Sequence, residues 1–167
     1  MGERIQRLYD LQVVDLEIDG AEKQIRLVES RLGESEDLRS AREGLAEARE
    51  RQAQLQRRLR NLELDLEEVL EKIKGSEGAL YGGRVKSPKE LAGLQQEVQI
   101  LKSRQRGVED EVLEVMEEME ERDRQLAGAA KRGEELEQRW RKEQALLQEE
   151  RSELRTHLSA LRERRGS

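Results

Sequence analysis

The chain offers little to do covalent chemistry with: it has no Cys, one His, one Trp and two Tyr among 167 residues. His157 and Glu153 lie four apart, so on a helix they share a face and together reach one metal ion. No second His completes a set and no H-E-x-x-H pattern occurs, so the pair is read as solvated surface. The stretch 109–123 is dense in carboxylates around Val112, Val115 and Met119. Carboxylates divide into acid and base only where a pocket separates their pKa values. Helical pairs offer little concavity for that, so this stretch is read as the solvated face of a helix. Gly82-Gly83 is too short a glycine signal for a phosphate cradle, and no G-x-x-x-x-G-K follows it. No catalytic, cofactor-binding or metal site is therefore assigned, and the expectation is a protein that is not an enzyme.

Binding chemistry concentrates at one place. Tyr81, Gly82, Gly83, Arg84, Val85, Lys86, Pro88, Lys89 and Glu90 stand in or beside the one glycine-rich interruption of the chain, 75–87. An αα-hairpin closes with two to five residues, so a stretch this long has room for more than closure. Arg84, Lys86 and Lys89 make it basic on an acidic chain, and Tyr81 and Val85 supply apolar anchors. The plainer reading is a turn that packs Leu80, Tyr81 and Val85 on the helix ends to close the fold. We take the stretch as the candidate partner-binding site.

The elements that carry this site are legible from periodicity. Charged residues make up 42% of the chain, against roughly 25% in ordinary domains. That composition without order reads as disorder, but the apolar residues recur in heptads. In the second half Leu91, Val98, Val112, Met119, Leu126, Trp140, Leu147, Leu154 and Leu161 fall on one seven-residue series, broken by Gln105 and Gly133. Leu94, Leu101, Val108 and Val115 form the companion row. In the first half Leu11, Val14, Ile18, Ala21, Ile25, Val28 and Leu32 form one block. Leu45, Ala48, Gln52, Leu55, Leu59, Leu62, Leu66, Val69 and Ile73 form the next, one residue out of phase with the first. Alternating spacings of three and four define a coiled-coil seam. Trp140 is read as core, and Gln105 as a polar seam residue that fixes register.

Gly75 reads as the residue that ends the first helix, with Lys72 and Lys74 at its negative end. Ser87-Pro88-Lys89-Glu90 reads as a start: Ser87 as N-cap, Pro88 at the first helical position and Glu90 completing a capping box. The expected fold is all-α: a long antiparallel two-helix coiled-coil hairpin with arm 1 at 1–74, a tip loop at 75–87 and arm 2 at 88–165, as one elongated domain. At 1.5 Å per residue the arms would span roughly 105–115 Å. With the fold point at Tyr81, residue i faces 162−i, which sets Gly33 against Leu126 to Gly133. Glycines meeting there predict a kinked rod. Exposed Leu146, Leu158 and Met116 beside the seam offer surface for further pairing, so monomer and homodimer both stay open.

The segment from Leu80-Tyr81-Gly82-Gly83-Arg84-Val85-Lys86-Ser87-Pro88-Lys89-Glu90-Leu91 to Leu94-Gln95-Gln96-Glu97-Val98, with Glu109-Asp110 beyond, resembles a bacterial family. Its members carry an N-terminal coiled-coil hairpin followed by a four-cysteine zinc ribbon. The paired C-x-x-C motifs are absent here, so zinc is expected only if a ribbon follows in a longer chain; Arg162, Arg164 and Arg165 suit such a junction. The resemblance implies an adaptor or chaperone. Relatives are linked to the nitrogen-type alternative sigma factor, to flagellar or type III secretion components and, in one case, to messenger RNA.

Net charge is −6, which disfavours nucleic acid as a partner for the whole surface. No apolar run approaches the ~20 residues a membrane span needs, and 1–5 leads into the helical pattern without a signal-peptide region. A cytoplasmic protein-binding adaptor acting through its tip is the expectation. The alternatives are an RNA binder using Arg84, Lys86 and Lys89, and a passive spacer. A polymerase-inserting factor would need acidic groups at the tip to hold a metal, and only Glu77 and Glu90 flank it.

Overall fold

The computed structural model describes residues 1–166, and these form three helices: α1 (Gly2–Arg31), α2 (Glu36–Tyr81) and α3 (Pro88–Gly166). No strand occurs among them. The first arm is thus two helices and the second is one of 79 residues. Two compact units result: Met1–Arg42 with Lys131–Ser167, and Glu43–Ala130. In each, an apolar stripe on the first arm is buried against α3, as amphipathic helices without another partner require.

In the first unit Val14, Ile18, Ala21 and Ile25 pack with Leu158 and Leu161, and Leu154 covers the edge. Leu158 is therefore core rather than exposed surface. Leu11, assigned above to the seam, is 40% exposed. In the second unit Leu55 and Leu62 close on Val115, flanked by Leu59, Val108, Val112 and Met119. Val69, Ile73 and Leu101 continue toward the turn.

The phase slip between the apolar blocks of arm 1 is a break in the helix. Leu32 leaves α1 in an extended conformation and Gly33 takes φ +114°, a region that favours Gly. Ser35 then caps α2: its Oγ accepts the Leu38 amide at 3.1 Å and its carbonyl accepts that of Arg39 at 3.0 Å. Leu38, one heptad before Leu45, restarts the seam and is only 1% exposed.

Gly33 does not meet Gly128 or Gly133. Its carbonyl accepts Trp140 Nε1–H at 2.8 Å, and its amide donates to Gln144 Oε1 at 2.8 Å. Gln144 Nε2 donates in turn to the Arg31 carbonyl at 3.3 Å. The backbone groups exposed by the break are thus satisfied by two side chains of α3. Trp140 is half-buried, and its ring lies 5.9 Å from the Arg42 guanidinium. It works as a staple more than as core.

The fold point lies later than Tyr81, because the tip loop is shorter than 75–87. α2 runs through Gly75 and Gly78 to Tyr81, leaving 82–87 as the turn. Glycine in a helix costs about 1 kcal/mol relative to alanine, and tertiary contact outweighs it here. The added turns half-bury Ser76, Ala79 and Leu80, and Glu77 pairs with Lys102 at 2.7 Å. α3 starts at Pro88 as its cap sequence predicts, with the Ser87 carbonyl accepting the Leu91 amide at 3.0 Å.

Candidate functional site

The tip is built from the last turns of α2, the turn 82–87 and the first turns of α3, all within the second unit. Two glycines make the turn possible. A Cβ on Gly82 would collide with the Gly78 carbonyl oxygen, so the chain leaves the helix closer to its own backbone than any side chain allows. Gly83 follows at φ +73°, the left-handed conformation that commonly ends a helix. These two members of the predicted site shape the turn by having no side chain.

The other members divide by exposure. Tyr81, the last residue of α2, is 81% exposed. Arg84, Lys86 and Lys89 are exposed and make no ion pair among the described residues. Val85 is half-buried. It lines a shallow groove of about 370 Å³ with Ala79, Glu90, Gly93, Leu94 and Glu97. Pro88 supplies the fixed φ of the first helical position. The structure therefore sets an apolar groove with two carboxylates at its walls beside three cations and an exposed phenol.

Sequence reasoning placed Glu90 in the site but missed Gly93, Leu94 and Glu97, which complete the α3 side of this groove. Glu90, Leu94 and Glu97 stand at i, i+4 and i+7, one helix face, and that spacing was the available signal. It also missed the brace beneath the tip, where the Glu77 carboxylate raises the Lys102 pKa above its ordinary value by accepting its hydrogen bond.

Elsewhere the carboxylates of 109–123 lie mostly in solvent. Glu118 pairs with Arg122 and Glu121 with Arg124 along the helix. Asp123 reaches across to accept the Gln52 Nε2–H bond. Gln52 is buried at 6% exposure, whereas Gln105 bonds to Glu109 on its own helix at 2.9 Å. The cross-helix polar contact thus belongs to Gln52 rather than Gln105. His157 and Glu153 are both exposed, and no group of His, Cys, Asp and Glu able to hold a metal occurs among the described residues. A zinc ribbon does not fit the donors present, since the chain contains no Cys. No described helix is long and apolar enough to cross a membrane.

Heptad seams closed on one long antiparallel helix, with a glycine-formed turn joining the arms, define the class: an all-α coiled-coil hairpin. More narrowly, the chain belongs to the CT398-like coiled coil hairpin domain family, whose model matches residues 11–167. No curated protein and no solved structure matches it.

Proposed function

We propose that this hairpin is a non-enzymatic adaptor that binds a protein partner through its tip. One observation carries the reading: Tyr81, 81% exposed, stands at a turn whose cations have no internal partner and whose apolar groove is open. Tyr and Arg are enriched in binding hot spots, and here Tyr81 is exposed with Arg84 three residues on. In this reading Tyr81 and Val85 supply apolar contact, Arg84, Lys86 and Lys89 attract and orient an acidic segment, and Gly82 and Gly83 keep the turn narrow. A sigma factor or a flagellar or secretion component is the kind of partner the family resemblance implies, with no cofactor in this chain.

The test uses the intact chain and a variant carrying Tyr81→Ala, Arg84→Glu, Lys86→Glu and Lys89→Glu as baits in native lysate, with and without ribonuclease. Partners held by the first and lost by the second, insensitive to ribonuclease, support the proposal. Capture that ribonuclease abolishes makes the tip an RNA-binding surface. Equal capture by both baits makes the hairpin a spacer.

A further inference from the structure

We infer that the flank of the second unit is a separate docking surface for a basic amphipathic helix. Leu62 and Val69 on α2 are buried in the seam, as are Leu101 and Val115 on α3. The residue after each of these flanks the seam: Glu63 and Leu70 on α2, Lys102 and Met116 on α3. Glu77 stands one heptad after Leu70, and its 2.7 Å ion pair with Lys102 shows that the two rows face one another. Stepping one heptad at a time in opposite directions brings Leu70 level with Glu109 and Glu63 level with Met116.

Apolar side chains on this flank lack cover. Leu70 is 44% exposed, Met116 50% and Leu113, on the same side of α3, 60%. Leu66 and Leu70 form an open notch of about 330 Å³ with Glu63, Glu67, Glu71 and Lys74 around it. Coiled-coil flanks ordinarily carry paired charges; here Glu63, Glu67 and Glu71 have no cationic partner among the described residues. Like charges four apart on a helix repel, so this stripe costs the hairpin stability that an incoming cation would return.

Charge decides the occupant. The stretch 109–123 holds nine carboxylates and one Arg, and the unit as a whole has 15 Lys and Arg against 20 Asp and Glu. A second copy would bring carboxylates onto carboxylates. A helix with aliphatic residues at i, i+3 and i+4 and Lys or Arg on either side matches both the notch and its rim.

The probe is a synthetic 21-residue Leu/Lys heptad peptide, with a Leu/Glu peptide as its counterpart, titrated onto the full chain by fluorescence anisotropy. The Leu/Lys peptide is expected to bind and the Leu/Glu peptide not to. Leu70→Asp with Met116→Asp is expected to raise Kd about tenfold or more. Because those changes add negative charge, attraction by charge alone would tighten binding instead. Leu70→Ser with Met116→Gln is the gentler pair should the first lower helicity, and is expected to weaken binding in the same direction. Leu16→Asp with Leu27→Asp in the first unit is expected not to weaken binding. Unaltered or tighter binding by both flank variants, or equal loss in the Leu16/Leu27 control, overturns the proposal. So does a dimer of the free chain that the flank variants dissolve, since the occupant would then be a second copy.

Discussion

The two units close their seams with the same aliphatic side chains and differ in what they do with the flanks. In the first, ion pairs cross from arm to arm: Arg31 to Glu143 at 3.0 Å, Arg155 to Glu29 at 2.9 Å and Arg162 to Glu22 at 3.0 Å. Arg42 joins Glu34 and Glu137 beside the staple formed by Trp140 and Gln144. In the second, Glu77 with Lys102 crosses near the tip, but pairs such as Glu68 with Lys72 and Glu118 with Arg122 run along a single helix, and a row of carboxylates is left uncompensated. Exposed pairs contribute only about 0–1 kcal/mol each, so the contrast concerns specificity more than stability. A flank paired internally fixes which arm residues meet. A flank left apolar and acidic keeps that capacity for another molecule.

The largest effect that separates the units is expected at Leu38. Leu38→Ala removes a side chain that is 1% exposed, and such deletions cost about 2–5 kcal/mol. Leu70→Ala on the open flank of the second unit should stay within about 0.5 kcal/mol. Urea denaturation followed by circular dichroism measures both. Similar losses at the two positions would mean that Leu70 is structural and the flank is not spare.

Next in size is Trp140. Trp140→Phe keeps a ring and deletes the donor to the exposed Gly33 carbonyl, for about 1 kcal/mol. Amide exchange should quicken around 31–35 and stay unchanged at 55–73. Faster exchange in both stretches would show that the break and the second unit share one cooperative unfolding event.

How far these features were readable follows from what each depends on. Heptads report burial directly, so most of the seam and the start of α3 at Ser87-Pro88 were legible, and so was the presence of a turn. The break in arm 1 showed only as a one-residue slip, because a slip does not say whether the supercoil adjusts or the helix stops. Leu38 escaped notice since it lies among Glu, Asp and Arg in the gap between the two apolar blocks. Gly75 misled because a helix terminus and a tolerated interior glycine look alike locally; the contacts of Ala79, Leu80 and Glu77 across the turn decide, and they are tertiary. Arm register inherited that error, which is why Gly33 was matched to the wrong part of α3. At the tip, the basic residues and Tyr81 were visible from type alone, whereas the groove needs two helices at once.

The turn tests the same division at comparable cost. Gly83→Ala places a Cβ at φ +73°, for about 1–2 kcal/mol, and Gly82→Ala must also move the backbone away from the Gly78 carbonyl. Thermal melts should rank Gly82→Ala below Gly83→Ala, and both below the parent. Neutral outcomes at both would mean that the turn adopts another path.

The smallest effect is expected from pH, at the brace below the tip. Glu77 raises the Lys102 pKa from its ordinary 10.5 by accepting its hydrogen bond. A cation whose folded pKa is raised adds stability that is complete below the unfolded pKa and is lost as pH rises through the folded value. The brace therefore holds at neutral pH and fades above about pH 10.5. Glu68 is the acid-side counterpart: Lys72 lowers its pKa by hydrogen bonding and by charge, so that contribution is present at neutral pH and disappears as pH falls through the lowered carboxylate value. Both groups lie in solvent, and salt screens them. Melting curves of the parent and Glu77→Gln should thus differ slightly at pH 8 in low salt, and the difference should shrink in 1 M salt and as pH rises beyond 10.5. A difference that persists undiminished in 1 M salt would assign the role of Glu77 to helix packing rather than to its charge, and would remove the cross-arm ion pair on which the register of the open flank rests.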